Sequence, residues 1–188
     1  METYQNAGPG LRKMFIAEVG AIVCTVLMFI PIVNIFAAIG ALVFMIISLV
    51  GLNAAGQDIE GCKTAFIFTI VNLIINVLSS FLKNAAVIGT ILSIAQSIIS
   101  LLVIYYVCTS VSDVMNKTGH ADVAQQGNTV WKINLVCYIV EIAITILVLI
   151  PVLGVLAVIT SAVIGIVSLV AGILYMIFLN KSAQALGA

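Results

Sequence analysis

Charged side chains are scarce in this sequence. They make up 7% of the 188 residues, against about 25% in soluble domains, whereas 63% of the residues are hydrophobic. Seven basic and seven acidic residues give a net charge of zero, so the composition offers no basic surface that would attract nucleic acid. The composition therefore predicts an integral membrane protein that is surrounded by a lipid bilayer.

The residues that build metal and catalytic sites are also scarce. His120 is the only histidine, and the four cysteines lack the Cys-x-x-Cys spacing of zinc ligands. The sequence contains no Gly-x-Ser-x-Gly motif, no His-Glu-x-x-His motif and no phosphate-binding glycine loop. We therefore expect that the protein is not an enzyme, and the sequence indicates neither a metal site nor a cofactor.

Six apolar runs come close to the roughly 20 residues that a membrane-crossing helix needs. They cover about 14–31, 33–52, 65–82, 85–108, 130–150 and 152–179. Very short turns, around Pro31, Lys83 and Pro151, join the runs in pairs. We therefore predict an all-α integral membrane protein with six transmembrane helices, arranged as three tandem helical hairpins in a single membrane domain, 1–188.

Basic residues are concentrated at one end of the predicted hairpins. Two polar connections, 53–63 and 109–132, lie at the same end as both termini, with a short helix expected at 111–115. This end carries Arg12, Lys13, Lys63, Lys117, Lys132 and Lys181. Only Lys83 lies at the hairpin tips, so the positive-inside rule places both termini in the cytoplasm. The chain is then a multi-pass protein of the cell membrane.

The three hairpins resemble one another in sequence. A shift of 120 residues superimposes Arg12 on Lys132 and Pro31 on Pro151, and a shift of 69 superimposes Lys63 on Lys132. We therefore predict an internal pseudo-threefold repeat, with units at about 12–57, 63–115 and 132–184.

Polar side chains recur on one face of each odd-numbered helix, at spacings of three and four residues. Under the repeat alignment these side chains form layers. The first layer contains Glu18, Thr69 and Tyr138, the second contains Ala21, Asn72 and Glu141, and the third contains Thr25, Asn76 and Thr145. Buried amides of this kind often make only an interhelical hydrogen bond. The layers therefore fit either a structural role or the binding of a substrate or ion.

Small residues form a comparable stripe on the even-numbered helices. Lipid is as apolar as leucine, so helices in membranes associate through the close packing that small residues allow. We predict helix-packing seams at Ala37, Ala41 and Ser48, at Gly89, Ser93, Ser97 and Ser100, and at Ala157, Ser161, Gly165 and Ser168. The alternative is a conducting path along these faces.

Glu141 lies within the apolar run 133–150. A charged group at the centre of a bilayer costs at least about 2.5 kcal/mol, and ionisable residues in such positions typically mark ion or proton pathways. The hypothesis from the sequence is a transporter or channel-like protein in which Glu141 takes up a proton or binds a cation. Glu18 is less unusual, because it can pair with Arg12 or Lys13 at the interface.

The alternative function is a non-transporting membrane scaffold or assembly subunit. Its small-residue helix faces and short loops would pack against a second copy of the chain or against other membrane subunits. The two hypotheses differ in what they expect of the bundle. Transport expects a solvent-accessible pocket around Asn72, Tyr138 and Glu141, whereas assembly expects a dry, closed bundle with small-residue stripes on the outside.

Overall fold

The computed structural model describes residues 4–28, 30–81, 86–147 and 154–188, except for the side chains of 80, 81, 86, 87, 154–159 and 161–163. The described residues form six helices and no strand. The helices are α1 (Ala7–Leu27), α2 (Asn34–Asp58), α3 (Glu60–Phe81), α4 (Ala86–Lys117), α5 (Ala121–Leu147) and α6 (Gly154–Ala185). The all-helical class and the six helices predicted from the apolar runs are confirmed.

Five of these helices, α2 to α6, are long and apolar enough to cross a membrane. Helix α1 carries three charged residues, Arg12, Lys13 and Glu18, within its 21 residues and is not among the five. Large apolar side chains are exposed on all six helices, for example Ile16 on α1 and Phe36 on α2. Such a surface is rare on a soluble monomer, so the fold is that of a polytopic membrane protein.

The helices follow one another around the bundle in chain order. Each helix packs against the next one, and α6 packs against both α5 and α1. The start of α1 lies close to the end of α2, where the Ala7 nitrogen donates to Asp58 Oδ2 at 2.9 Å. It also lies close to the C-terminus, because a Cβ on Gly8 would lie 3.0 Å from the Leu186 oxygen. The end of the bundle that holds both termini is called the terminal end below.

The two polar connections at the terminal end are largely helical. Only Ile59 separates α2 from α3, and only residues 118–120 separate α4 from α5. Gly119 has a φ of +86°, which an L side chain rarely adopts, and it makes this tight reversal possible. The helices continue through these segments because they keep a buried apolar face, including Val111 on α4 and Val123 on α5. The sequence predicted polar connections here because most of the residues in these segments are polar.

The buried core of the described residues is concentrated at the terminal end. Its largest fully buried side chains include Leu11, Cys62, Cys108, Met115 and Phe178, which come from α1, α3, α4 and α6. Farther from this end, most described side chains are half-buried or exposed. The packing of the bundle is therefore tightest where the helices meet the short connections.

Glycines let α1 and α2 touch through their backbones in this region. A Cβ on Gly10 would lie 2.6 Å from the Ala55 nitrogen and 2.7 Å from the Gly51 oxygen. A side chain at either glycine would push the two helices apart. Close approach of backbones through small residues is typical of helix pairs in membranes.

The predicted packing seams on the even-numbered helices have mixed surroundings. Ala37 is buried, and Ala41 and Ser48 line a cavity of about 210 Å³ between α1 and α2. In contrast, a Cβ on Gly89 or on Gly165 would meet no atom of the described residues within 4 Å. Ser93 and Ser168 are exposed, and Ser97 and Ser100 are half-buried. The side chains of Ala157 and Ser161 lie outside the described residues, so the seams stay a prediction.

Candidate functional site

A cavity of about 400 Å³ lies inside the ring of helices, next to the core of the terminal end. We call it the interior cavity. Five helices, α1, α3, α4, α5 and α6, contribute its walls. The lining residues are Glu18, Thr69, Asn72, Ser100, Val103, Ile104, Asn134, Cys137, Tyr138, Glu141, Ser168, Gly172 and Tyr175.

Helical periodicity brings the polar side chains of each helix to the cavity. On α3, Thr69 and Asn72 are three residues apart. On α5, Asn134, Tyr138 and Glu141 are spaced by four and three residues, which keeps them along one face. The polar stripes recognised in the sequence therefore meet at one place in the described structure.

Several hydrogen-bond donors among the lining side chains already have acceptors within the protein. The Asn72 amide nitrogen, Nδ2, donates to the Ser100 hydroxyl at 2.9 Å and so links α3 to α4. Thr69 donates to the Ala65 carbonyl at 2.8 Å, and Asn134 Nδ2 donates to the Val130 carbonyl at 2.9 Å. These donors are satisfied within the protein. The amide oxygens of Asn72 and Asn134 accept no hydrogen bond in these three contacts.

Two carboxylates, Glu18 on α1 and Glu141 on α5, line the interior cavity. None of its described lining residues is a lysine, arginine or histidine. Neither glutamate forms an ion pair with another described residue, and Glu18 does not pair with Arg12 or Lys13, which are both exposed. When both glutamates are ionised, the cavity carries negative charge that no basic side chain among its described lining residues balances. Such a site attracts cations.

Glu141 is the more exposed of the two carboxylates, whereas Glu18 is half-buried. Glu18 also lines the smaller cavity between α1 and α2. Glu18 therefore lines two cavities. The ion pair with Arg12 or Lys13 that was expected from the sequence does not explain this position.

The structure brings together five of the seven residues predicted to bind a substrate or ion: Glu18, Thr69, Asn72, Tyr138 and Glu141. The other two, Asn76 and Thr145, are not among the lining residues. Thr145 donates instead to the Glu141 backbone carbonyl at 2.9 Å. Asn76 lies one helical turn beyond Asn72 and is exposed.

Helices α4 and α6 contribute residues that the sequence did not assign to this site. Ser100 and Ser168 were predicted as packing residues, and both line the cavity. Tyr175 was not predicted at all. It lies seven residues after Ser168, which is two helical turns along the same face. This spacing could have predicted that Tyr175 belongs to the site.

The cavity lining offers oxygen atoms and aromatic rings rather than a metal-ligand set. Among the described residues there is no group of three or more His, Cys, Asp or Glu side chains placed to hold a metal ion. The arrangement can hold a proton on a carboxyl group, or a positively charged group against one.

Comparison with known proteins found no protein-family model, no curated protein and no solved structure that matches this chain. A functional argument therefore depends on the interior cavity itself, since function is carried by the site rather than by the fold.

Proposed function

We propose that this protein is a transporter or channel-like protein that moves protons or small cations through its interior. The observation that carries the proposal is the interior cavity, which two carboxylates line with no basic residue among its described walls. Ionisable groups inside a membrane are costly and usually belong to an ion or proton pathway. A purely structural role would not need two unpaired glutamates at one cavity.

Glu141 is the principal binding group in this proposal, because it lines the cavity, is exposed, and forms no ion pair with another described residue. Glu18 provides the second charge. Asn72, Tyr138 and Thr69 supply oxygen atoms that replace part of the hydration shell of the ion, and Asn76 and Thr145 lie farther along the same helix faces. Hydrogen bonding by such groups compensates an ion for lost water.

The proposal includes a topology with six membrane spans, in which α1 is the sixth span. The protein lies in the cell membrane, and both of its termini are in the cytoplasm. The apolar residues of α1 after Lys13 and its packing along α2 support the sixth span. All six basic residues assigned to the terminal end are exposed, as a cytoplasmic face requires. The pseudo-threefold repeat of hairpins belongs to this proposal as well.

A flux assay tests the proposal directly. The purified protein is reconstituted into liposomes that contain a pH-sensitive dye, and proton flux is measured under an imposed potential. We expect Glu141→Gln to lower the flux at least about tenfold, because a hydrogen bond to a charged group contributes about 1.5–3 kcal/mol. Asp122→Asn is the matched control, since Asp122 is an exposed carboxylate at the start of α5.

Sodium and potassium gradients are tested in the same liposomes. Wild-type flux no greater than that of empty liposomes for all three ions would contradict the movement of protons and small inorganic cations. So would equal flux through the wild type and the Glu141→Gln variant.

A non-transporting assembly subunit is the second candidate function. The small residues on α4 and α6 favour it, because a Cβ on Gly89 or Gly165 would meet no described atom within 4 Å, which leaves room for a partner helix to approach. Replacing Gly165 with leucine would disrupt such an assembly without touching the cavity lining. A change from oligomer to monomer in light scattering, with flux absent in the wild type, would favour this candidate.

A further inference from the structure

The interior cavity is too large for a bare ion. A volume of about 400 Å³ falls within the roughly 300–1,000 Å³ range of small-molecule sites. One water molecule, which is comparable in size to a small ion, takes up only about 30 Å³. The volume alone therefore indicates space for an organic molecule or for an ion with several waters.

The distribution of the carboxylates argues against a dehydrated metal ion. Glu18 lies on α1 and Glu141 lies on α5, and α6 packs between these two helices. Calcium requires six to eight oxygen ligands around one point. No group of three or more His, Cys, Asp or Glu side chains among the described residues is placed to hold a metal ion, whereas two carboxylates on different helices fit a molecule with a positive charge at each end.

Two deeply buried side chains also present unused polar atoms to the cavity. Tyr175 is 7% exposed and lines the cavity, and no described residue forms a hydrogen bond with its hydroxyl group. Asn134 is likewise 7% exposed, and its amide nitrogen is occupied by the Val130 carbonyl while its amide oxygen is not. The buried side-chain atoms that lack a partner among the described residues are the hydroxyl oxygens of Ser112 and Ser182, so the Tyr175 hydroxyl and the Asn134 oxygen are not enclosed and can contact a molecule in the cavity.

The aromatic rings of the lining suit an ammonium group. Tyr138 and Tyr175 lie on neighbouring helices, α5 and α6, and a ring face attracts an organic cation even where no carboxylate contacts it. Val103 and Ile104 on α4 add apolar surface. The lining therefore combines negative charge for the two ends of a ligand with apolar and aromatic surface for the part between them.

We infer that the interior cavity binds a linear organic diammonium compound, with one ammonium group at Glu18 and the other at Glu141. This inference rests on the proposed function and names the substrate class of the same site. The hydroxyl group of Tyr175 and the amide oxygen of Asn134 accept hydrogen bonds from the bound ammonium groups. The methylene chain lies against Val103, Ile104 and the tyrosine rings.

Calorimetry on the protein in lipid nanodiscs tests the inference without a transport assay. The probes are linear diamines from diaminopropane to diaminooctane, each compared with the monoamine of equal chain length. Because the two carboxylates are fixed on different helices, we expect one chain length to bind best. That diamine should bind at least about tenfold more tightly than its monoamine, since a second charged hydrogen bond forms.

Variants identify the groups that bind the two ends. Glu18→Gln and Glu141→Gln should each reduce the affinity for the best diamine to that of its monoamine. Tyr175→Phe keeps the ring and removes the hydroxyl, so it should weaken binding by a smaller factor. Asp122→Asn should leave the affinity unchanged, and gel filtration establishes that each variant is folded.

Equal affinities for diamines and monoamines throughout the series would overturn the inference, and this comparison needs only the wild-type protein. Diamine affinity that is unaffected by Glu18→Gln would overturn it as well. If protons or inorganic cations pass in a Glu141-dependent manner while no amine binds, the inference fails and the proposed function stands. If the diamine binds but no ion or amine crosses the liposome membrane, the inference stands and the proposed transport fails.

Discussion

Replacing Phe178 with alanine should destabilise the bundle at its terminal end. Phe178 is fully buried on α6, and its ring lies 2.6 Å from the position that a Cβ on Gly127 of α5 would take. In a soluble protein, Phe→Ala in a core costs about 3–5 kcal/mol, which includes the transfer of the ring out of water.

The expected cost is smaller in a membrane, because lipid solvates the ring about as well as the core does. The remaining contribution to the cost is the cavity that the missing ring leaves in the core. A void of about 100 Å³ at about 24 cal/mol per Å³ corresponds to about 2.4 kcal/mol. We therefore expect Phe178→Ala to lower the free energy of unfolding by about 2–3 kcal/mol.

Unfolding in mixed detergent micelles, followed by the fluorescence of Trp131, measures this change. The matched control is Ile177→Ala, one residue away on the same helix. Ile177 is 40% exposed and faces outward, so its replacement leaves no internal void and should cost less than about 1 kcal/mol. Equal losses for the two variants would refute the reasoning, because they would show that the terminal end is not a close-packed core.

Three further predictions concern two glycines and one helix-capping carboxylate. Gly127→Ala should destabilise the protein by about 1–3 kcal/mol, because the added methyl group would meet Ser112 and Phe178. The methyl group added by Gly165→Ala would meet no described atom within 4 Å, so this substitution should instead stabilise α6 by about 0.5–1 kcal/mol in the same detergent titration. A change of the same sign in both variants would contradict the packing. Asp58→Ala should cost about 0.5–2 kcal/mol, since Asp58 accepts hydrogen bonds from the backbone nitrogens of Asn6 and Ala7 at the start of α1. The control is Asp113→Ala, because Asp113 is an exposed carboxylate at the same end. We expect faster hydrogen exchange at residues 6–10 in the Asp58 variant and no change there in the control.

The membrane class and the helices could be predicted from sequence because they depend on local properties. A run of about 20 apolar residues cannot satisfy its backbone in lipid except as a helix. The polar face of α5 could also be predicted, since residues spaced three and four apart share a face in any helix. The helical continuation of α4 to Lys117 was harder to see, because the polar residues that dominate this segment lie on its exposed side.

Whether a helix face points into a seam or into a cavity could not be predicted from spacing. Ser100 fits the stripe of small residues on α4, yet it accepts a hydrogen bond from Asn72 and lines the interior cavity. The rotation of α4 about its axis decides between the two, and that rotation depends on all the neighbours of α4 together. The same holds for Glu18, whose local sequence favours an ion pair with Arg12 or Lys13.

By itself, the sequence predicted the membrane class, a helix in each of the six apolar runs, and which residues of one helix share a face. These properties follow from composition and from the period of the helix. Only the tertiary structure decided that Glu18 and Glu141 line one cavity, that Tyr175 joins them, and that the close-packed core lies at the terminal end. The physical reason is that these relations join residues on different helices, and they exist only once the six helices have packed around one another.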